Sequence, residues 1–440
     1  MSNIILTDEQ EKLINEAVKW YYNSSELVFQ YEGFGGTGKS LVMHMIQERL
    51  GLTDEEVAPM AYTGAASIVM RLNGFSNACT IHSWLYKLVK TKDYDTNTNK
   101  MVYKTKFVYS PLNKNLIKLI FIDEASMVPF SMKKDIEANG IKIIACGDLN
   151  QLPPIGDKPA YLYSGKIFRL TKIMRQARGS AIIELSHQIM KGIEPKPGDY
   201  GQVLVINKND LTREMLYKME VVICGTNKTR DIINNMVRHD VIKTNNPLPQ
   251  YGEKIVCRSN DWSIVVDGIS LANGLVGTVI NYPSIAGFDN NKFYLDFRPD
   301  LFPNIEFYDV ECDYKYMISD YRTRQGLRSI NNKKNNHRVH KFEYAYAITT
   351  HISQGSQFQN GMYVQEYLGR DIQNKLNYTG LTRFRNFCIY VLPYKRVFCP
   401  VYKSVVSVNN VPVIWITVIY YKYGEGLIYT KKGLLKWELM

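Results

Sequence analysis

The stretch GFGGTGKS, residues 33–40, follows the strand-like run LVFQYE and leads into the helix-like run SLVMHMIQERL. Its spacing, with Gly33 followed after four residues by Gly38, Lys39 and Ser40, is that of a phosphate loop. In such a loop, backbone N–H groups at a helix N-terminus surround the phosphates of a nucleotide. A glycine-rich turn without a ligand is the alternative, but the strand before it and the helix after it favour the phosphate loop.

Each residue type in this loop suits one part of a triphosphate. The glycines let the backbone approach the phosphates, the Lys39 ammonium would reach the β- and γ-phosphates, and the Ser40 hydroxyl would bind Mg²⁺. The sequence therefore predicts a bound triphosphate with Mg²⁺ as its cofactor. The predicted phosphate-binding residues are Gly33, Gly35, Gly36, Thr37, Gly38, Lys39 and Ser40.

Composition places the chain among multidomain globular proteins. It has 440 residues, of which 45% are hydrophobic, so it can bury more than one core. Neither a membrane-spanning helix nor a signal peptide is predicted, and the expected location is cytoplasmic, in the host cytoplasm if a phage encodes the protein. The seven cysteines contain no CxxC pair, which argues against a zinc site. The net charge of +12 is compatible with a nucleic-acid partner, although a basic solvated surface would also explain it.

Two later strands end in polar residues that suit the same site. The run LIKLIFIDEAS ends its strand in Asp123 and Glu124, which would hold the Mg²⁺ shell and deprotonate the attacking water, respectively. A third strand, IKIIACGD, runs into GDLNQLPP, residues 147–154. The carboxyl ends of parallel strands meet at one edge of a sheet, where ligands bind. The alternative for Asp123 and Glu124 is a simple helix cap.

The ordered set of Gln10, GFGGTGKS, AYTGAAS, TIHS, IDEAS, GDLNQLPP, HISQGSQ and YTGLTRFR resembles superfamily 1 helicases. The likeness is to the 5′-to-3′ branch that includes RecD-like enzymes and the phage Dda helicase, and it covers roughly residues 6 to 395. It implies an α/β fold with two RecA-like phosphate-loop cores, built on parallel sheets, with an inserted β-hairpin pin and an inserted small SH3-like β-barrel. It also implies that ATP is the nucleotide.

The resemblance assigns further residues to the nucleotide. Gln10 would read the adenine edge, and Gln151 would sense the γ-phosphate and link it to the DNA groove. Arg175 and Arg383 would reach the γ-phosphate from the second core, although a surface ion pair is the alternative for either arginine. The predicted catalytic residues are Lys39, Asp123, Glu124, Gln151, Arg175 and Arg383. Gln354 and Gly355 are expected at the nucleotide from the HISQGSQ motif.

The resemblance also implies contacts with single-stranded DNA. The implied DNA-binding residues are Thr63, Thr80, His82, Thr349 and His351. A lone threonine or histidine is as often structural, so that alternative stays open for each. The sequence departs from the family pattern at Tyr62, Gly64 and Ile352, where the family usually has Pro, His and Lys, and these departures bear on how DNA is gripped.

Two insertions interrupt the predicted cores. Residues 86–112 carry two β-prone basic arms around DTNTN, and a hairpin there would match the strand-separating pin of the family, with a surface ribbon as the alternative. Residues 256–335 contain short alternating strands and an Asn273-Gly274 turn. The basic run of residues 321–342 is expected to be an exposed loop. The predicted domains are core 1A (residues 1–85 and 113–170), pin 1B (86–112), core 2A (171–255 and 336–400), subdomain 2B (256–335) and a C-terminal extension (401–440).

The predicted activity is ATP-dependent unwinding of DNA with 5′-to-3′ movement, and the expected partners are single-stranded DNA and junctions with duplex. The chain is expected to be a monomer, and replication or recombination proteins are possible partners. A translocase that displaces proteins without much unwinding is the alternative.

Two other classes of protein fit the sequence less well. A GTPase would need the guanine-binding motif NKxD, but NKTR places Arg230 where the acid belongs. A nonenzymatic nucleic-acid-binding module would leave Lys39, Glu124 and Arg383 without a role.

Overall fold

A computed structural model of the chain describes residues 6–95, 100–154, 156–172, 179–259, 261–267, 269–285, 291–331, 339–393, 402–408, 411–422 and 425–432. It divides into two compact units, Met1–Leu392 and Pro393–Met440. No helix in the described part is both long and apolar enough to cross a bilayer.

The first core surrounds the phosphate loop. Its helices are α1 (Asp8–Asn23), α2 (Lys39–Leu50), α3 (Gly64–Leu72), α4 (Ile81–Leu85) and α5 (Phe130–Glu137). The strands of the same region are β1 (Val28–Gly33), β2 (Val57–Ala61), β3 (Cys79–Thr80), β4 (Tyr86–Asp95), β5 (Lys100–Tyr109), β6 (Leu119–Asp123), β7 (Lys142–Gly147) and β8 (Ile167–Leu170).

Six of these strands form one parallel sheet in the order β3-β2-β6-β7-β1-β8. Every residue of β2 and β6 is buried, because central parallel strands are covered on both faces, which is why LIFID reads as a continuous apolar run. The predicted strand, loop and helix around GFGGTGKS are confirmed as β1 and α2. The carboxyl ends of β1, β6 and β7 therefore lie side by side at one edge.

The strands β4 and β5 leave this core as an antiparallel ribbon, paired from Tyr86 with Tyr109 to Asp95 with Lys100. Its base is tied to the core, since the Tyr109 hydroxyl donates to the Asp135 carbonyl at 3.0 Å and Ser110 N donates to Leu85 O at 2.8 Å. Residues 96–99 of the predicted DTNTN turn lie outside the described residues. The role of this ribbon as a pin stays a prediction.

The rest of the first unit contains a second core and a smaller β-structure. Its helices are α6 (Ala181–Met190), α7 (Arg213–Lys218), α8 (Asn227–Met236), α9 (Tyr314–Ile318), α10 (Tyr321–Asn331), α11 (Thr350–Ser353) and α12 (Arg370–Leu381). Its strands are β9 (Gly198–Asp199), β10 (Val203–Asn207), β11 (Val221–Cys224), β12 (Lys254–Cys257), β13 (Asp261–Val266), β14 (Ile269–Leu271), β15 (Val276–Val279), β16 (Ser284–Ile285), β17 (Lys292–Pro299), β18 (Phe307–Asp313), β19 (Phe342–Tyr344), β20 (Ala347–Thr349), β21 (Phe358–Val364) and β22 (Phe384–Leu392).

The second core is a sheet in the order β20-β11-β21-β22-β10-β9. All neighbouring strands are parallel except β9, which is antiparallel to β10. The predicted fold class of two parallel α/β cores is thus confirmed.

The smaller β-structure is an antiparallel sheet in the order β16-β17-β15-β12-β19, with β18 paired to the other side of β17. A bridge between Cys312 in β18 and His340, just before β19, brings its two ends together. The sheet therefore curls back on itself as a small barrel does, and alternate residues of β17, including Phe293 and Phe297, fill its interior. We call it the barrel; its SH3-like character stays a prediction, as do the domain boundaries.

Two buried ion pairs fasten the barrel to the second core. Arg230 Nη1 in α8 lies 2.7 Å from Glu343 Oε2 in β19, and both side chains are 1% exposed. Arg238 Nε lies 2.8 Å from Glu253 Oε1, next to β12. Arg230, which stands where a GTPase would have the acid of NKxD, thus holds the barrel and the second core together.

The prediction of an exposed loop across residues 321–342 is wrong for Tyr321–Asn331, which form α10. Asp320 accepts a hydrogen bond from Thr323 N at 2.8 Å, which supports the start of this helix. Arg324 is only 7% exposed, because its Nε donates to the Tyr316 carbonyl at 3.1 Å. A basic run can therefore be helical when one of its arginines packs inward.

The second unit contains a three-stranded antiparallel sheet of β23 (Tyr402–Val408), β24 (Val411–Lys422) and β25 (Glu425–Lys432). Strands β24 and β25 are neighbours in this sheet, and Lys422 pairs with Glu425.

Candidate functional site: a nucleotide loop and an adjoining cleft

The phosphate loop has the backbone shape that its glycines predict. Gly36 and Gly38 both have φ of 80°, a left-handed conformation that glycine adopts without strain. A Cβ atom on Gly33 would lie 2.4 Å from the hydroxyl oxygen of Thr37. This hydroxyl donates back to the Phe34 carbonyl at 2.9 Å. The loop therefore depends on glycine at positions where a side chain would strain or displace it.

Lys39 lies across the loop at the start of α2. Its ammonium group donates to the carbonyls of Gly33 at 2.9 Å and Phe34 at 3.2 Å. These are interactions that a phosphate could replace, because the lysine side chain is flexible and carries three donors. Ser40 follows Lys39 at the second position of the helix. The backbone N of Gly35 donates a hydrogen bond to the hydroxyl of Tyr378 in the second core.

Gln10 is placed beside this loop. It is 1% exposed, its Nε2 donates to the Thr37 carbonyl at 2.9 Å, and its Oε1 accepts from Thr7 N at 2.9 Å. The second contact completes a capping box at the start of α1. Gln10, which is predicted to read adenine, thus also stabilises the phosphate loop through the Thr37 carbonyl.

The two acidic residues at the end of β6 have different surroundings. Asp123 accepts hydrogen bonds from Cys146 Sγ at 3.2 Å and from Glu124 N at 2.8 Å. Glu124 has φ of 50°, unusual for a residue with a side chain, and its Oε2 is buried without a hydrogen-bond partner among the described residues. Burial and the Asp123 carboxylate raise the pKa of Glu124, while Arg383 and Lys39 act against that rise. Such a carboxylate can accept a proton from water.

The loop of residues 147–154, which follows β7, contacts the second core. The Tyr378 hydroxyl in α12 donates to Asp148 Oδ2 at 2.5 Å, and its oxygen accepts from Gly35 N at 3.3 Å. One side chain of the second core therefore touches both the phosphate loop and the 147–154 loop of the first.

Three more hydrogen bonds hold the 147–154 loop against the second core. Leu152 N donates to Thr379 Oγ1 at 3.1 Å, and Leu152 O accepts from Gln354 Nε2 at 3.0 Å. Lys375 Nζ donates to Leu149 O at 2.8 Å. Gln354, which was predicted at the nucleotide, is thus placed against this loop.

Arg383 reaches the same region from the end of α12. It is 5% exposed, and its Nε donates to Thr379 O at 3.1 Å. The positive charge of Arg383 acts against the rise in the pKa of Glu124. Gln151 is 3% exposed, and its Oε1 has no hydrogen-bond partner in the described part of the chain. Arg175, the other predicted arginine, lies outside the described residues.

Oxygen ligands for Mg²⁺ are available beside the loop. No group of three or more His, Cys, Asp or Glu that could hold a metal is found in the described residues. Mg²⁺ usually takes only one or two protein ligands and completes its shell with phosphate oxygens and waters. Ser40 and Asp123 fit that pattern, and the buried, unpartnered oxygen of Glu124 fits a site completed by a ligand.

A cleft of about 350 Å³ opens on the other side of the 147–154 loop. It lies between the two cores and the barrel, and we call it the inter-core cleft. It is lined by Tyr62, Thr63, Gly64, Ala65, Thr80, His82, Met127, Pro153, Pro154, Arg258, Asn273, Gly274, His351, Ile352 and Gln354. Four of the five residues predicted to contact DNA are thus brought together, and the three departures from the family pattern lie among them.

The predicted threonines all cap helices. Thr63 accepts from Ala66 N at 3.2 Å, Thr80 from Ser83 N at 3.2 Å, and Thr349 from Ile352 N at 3.4 Å. Thr349 does not line the cleft. The structural alternative therefore accounts for these three side chains, and a DNA contact would be an additional role.

Close packing at the N-terminus of α3 joins all three parts of the unit. A Cβ atom on Gly64 would lie 2.6 Å from Ala272 Cβ in the barrel. A Cβ atom on Gly355, whose φ is 78°, would lie 2.8 Å from Thr63 Oγ1. Glycine at position 64, where the family usually has His, thus leaves room for Ala272 of the barrel.

Sequence reasoning missed Asp148, Tyr378 and Arg258. Asp148 follows a buried strand directly, as Asp123 does, so its position at the sheet edge was a usable signal. Tyr378 lies in the quoted YTGLTRFR motif but pairs with a residue 230 positions away. Arg258 had no local signal.

Comparison with known proteins supports a helicase relationship. Residues 5–206 match the family model AAA_30, described as an AAA domain. An uncharacterised protein of Methanocaldococcus jannaschii is 25% identical over 428 residues, covering 80% of this chain and 35% of that protein. The ATP-dependent DNA helicase RRM3 of Saccharomyces cerevisiae is 27% identical over 218 residues, covering 43% of this chain and 28% of that protein. The chain therefore spans about a third or less of the length of these relatives.

Solved Pif1 helicases share the fold. One, described in work on DNA unwinding at forked duplex DNA by two coordinating Pif1 helicases, has a TM-score of 0.52 at 18% identity, covering 88% of this chain and 92% of that one. Pif1 from Bacteroides in complex with ADP-AlF3 and single-stranded DNA has a TM-score of 0.50 at 17% identity, with the same coverage. These likenesses show the two-core fold, and the named helicase among the relatives above agrees with the resemblance that the motifs predicted.

Proposed function

We propose that this chain, a homologue of the Pif1/RecD-like helicases of superfamily 1, is an ATP-dependent DNA helicase that moves 5′-to-3′ on single-stranded DNA and unwinds duplex. The observation that carries the proposal is the position of the 147–154 loop. One part of it meets Tyr378 beside the phosphate loop, and another part, Pro153 and Pro154, lines the inter-core cleft. A single loop thus contacts both candidate sites.

The nucleotide side is suited to ATP hydrolysis. Lys39 would bind the β- and γ-phosphates, and Mg²⁺ held by Ser40 and Asp123 would supply charge neutralisation there. Glu124 would take the proton of the attacking water, because its buried carboxylate has a raised pKa. Arg383 would stabilise charge that develops on the transferred phosphoryl group. Gln10 would contact the adenine, and Arg175 would supply a second cation.

The cleft side is suited to a single strand rather than to duplex. Tyr62, Met127, Pro153 and Pro154 give it an aromatic and apolar wall, against which unpaired bases can pack. Thr63, Thr80, His82 and His351 face the same space and would contact the backbone of the strand.

Coupling between the sites would pass through α12 and the 147–154 loop. Four hydrogen bonds join this loop to Thr379, Gln354, Lys375 and Tyr378 of the second core. A change in the distance between the cores upon hydrolysis would therefore move the loop and with it the cleft wall. Gln151, buried in this loop, would be the residue that responds to the γ-phosphate.

Relatives and structural neighbours favour the same function, since RRM3 is an ATP-dependent DNA helicase and the Bacteroides Pif1 structure contains ADP-AlF3 and single-stranded DNA. We infer that the partners are single-stranded DNA and its junctions with duplex, that the protein acts as a cytoplasmic monomer, and that it serves replication or recombination. The second candidate, a translocase that displaces proteins without much unwinding, uses the same two sites.

The test is ATP turnover with and without an unstructured oligothymidylate. The wild type should be stimulated strongly by the oligonucleotide, and Lys39→Ala should show no turnover in either condition. Turnover that is indifferent to DNA would contradict the proposal and favour an NTPase of another kind. Displacement of streptavidin from biotinylated single strands, measured beside strand separation, distinguishes the translocase from the helicase.

A further inference from the structure

The inter-core cleft has few positive charges for a site that would bind a polyanion. Among its lining residues that the structure describes, Arg258 is the one with a permanent charge. The two histidines, His82 and His351, have their pKa lowered by desolvation, so neither adds a permanent charge. Affinity for single-stranded DNA generally depends on cations that neutralise phosphates. Arg258 is therefore the residue of the cleft that can make this contact.

Arg258 follows β12 directly and is held by contacts on two sides. Its backbone N donates to Lys341 O at 2.7 Å. Its Nη1 donates to Asn273 Oδ1 at 3.2 Å, in the turn that also lines the cleft. Its Nε lies 3.5 Å from Glu343 Oε1, and 13% of the side chain is exposed. The guanidinium group is thus positioned at the wall of the cleft.

The carboxylate of Glu343 is shared by Arg258 with other groups. Glu343 forms its shorter ion pair with Arg230 at 2.7 Å, and its Oε1 accepts a hydrogen bond from the Tyr316 hydroxyl at 2.6 Å. Arg258 Nε is buried and faces this carboxylate, so the terminal nitrogens are the part of the guanidinium group that can reach a ligand. A guanidinium group has five N–H donors, so donors of Arg258 remain for a ligand. Glu343 thus orients Arg258, while its negative charge is shared among Arg258, Arg230 and Arg324.

We propose that Arg258 binds a backbone phosphate of the single strand in the inter-core cleft, positioned by Glu343 and Asn273. The inference rests on the proposed DNA-binding function and adds to it a residue supplied by the barrel. The barrel then takes part in gripping the strand, because it carries both Arg258 and the Asn273-Gly274 turn against Gly64 of the first core.

The test measures binding of a fluorescent oligothymidylate by anisotropy over a series of KCl concentrations. Arg258→Gln should lower the affinity about tenfold or more, as expected for one charge-assisted hydrogen bond. It should also make the slope of log affinity against log salt shallower by about 0.7, the value for one phosphate of a single strand. Arg258→Lys, which keeps the charge, should retain the wild-type slope. Arg298→Gln, which removes an arginine of the barrel outside the cleft lining, is the matched control and should behave as the wild type.

The outcomes separate this inference from the function on which it rests. If the wild type binds DNA with a steep salt dependence and Arg258→Gln equals Arg298→Gln, the assignment of Arg258 is wrong and the DNA-binding function stands. Equal losses in Arg258→Gln and Arg258→Lys with an unchanged slope would show a structural role and would also overturn it. If the wild type does not bind the oligonucleotide, the proposed function itself is wrong.

Discussion

The hydroxyl of Tyr378 in the second core donates a 2.5 Å hydrogen bond to the carboxylate of Asp148 in the first. Its oxygen also accepts from Gly35 N in the phosphate loop, at 3.3 Å. Both Tyr378 and Asp148 are almost fully buried, so this contact is protected from water. It therefore links the positions of the two cores to the backbone that would bind phosphate.

Tyr378→Phe should weaken this link without removing either core. A hydrogen bond to a charged group contributes about 1.5–3 kcal/mol, so DNA-stimulated ATP turnover should fall by roughly tenfold or more. Tyr367→Phe removes a hydroxyl from a tyrosine that is 70% exposed and is the matched control. Stimulation that is unchanged in Tyr378→Phe would show that the cores communicate by another route.

Lys39→Ala and Glu124→Gln should separate binding from chemistry. Lys39→Ala should abolish nucleotide binding, because its ammonium group grips phosphate in the ground state. Glu124→Gln should keep binding nearly intact and lower hydrolysis by orders of magnitude, since it removes the base. Binding of a fluorescent ATP analogue and steady-state turnover check the two effects. Wild-type turnover in Glu124→Gln would contradict the assignment of Glu124.

Glu343→Gln should destabilise the junction of barrel and second core. Burial alone would raise the pKa of Glu343, but Arg258, Arg230 and Arg324 outweigh it and lower the pKa to about 2. Because the folded state then binds fewer protons, this contribution to stability is complete above the unfolded pKa of about 4.3 and is lost as the pH falls toward 2. Removing the charge leaves buried arginines uncompensated, which costs about 3–5 kcal/mol.

Urea unfolding of the wild type and Glu343→Gln at neutral pH and near pH 3 checks this prediction. The difference between the two proteins should shrink at the lower pH. Glu306→Gln, which breaks the exposed ion pair with Arg298, should leave the midpoint almost unchanged. An equal shift in both variants would contradict the role of Glu343.

The β4–β5 ribbon is the predicted wedge. Opening duplex costs about 1.4 kcal/mol per base-pair step in lost stacking, so a rigid element at the junction is required. Replacing residues 91–106 by a short Gly/Ser linker retains the base of the ribbon, including the contact of Tyr109 with Asp135. The shortened protein should keep DNA-stimulated ATP turnover and lose strand separation. Unwinding at the normal rate would place the wedge elsewhere.

Local patterns were sufficient to predict much of the fold and of the nucleotide site. The apolar run of β6 ending in Asp123 and Glu124, and the glycines of the phosphate loop, are encoded within a few consecutive residues. The contact of Tyr378 with Asp148 and the pairing of Arg258 with Glu343 join distant parts of the chain, so no local pattern indicates them. The helix α10 was missed for a similar reason, because Arg324 is stabilised by the carbonyl of Tyr316, which lies in α9.

The most direct test of helicase function is ATP-dependent strand separation of duplexes that carry a 5′ single-stranded tail, a 3′ tail or no tail. The wild type should separate the 5′-tailed duplex and leave the blunt and 3′-tailed duplexes paired, and Lys39→Ala should separate none. Separation of the 3′-tailed duplex alone would contradict the assigned direction. An intact 5′-tailed duplex despite DNA-stimulated turnover would contradict unwinding and leave the translocase.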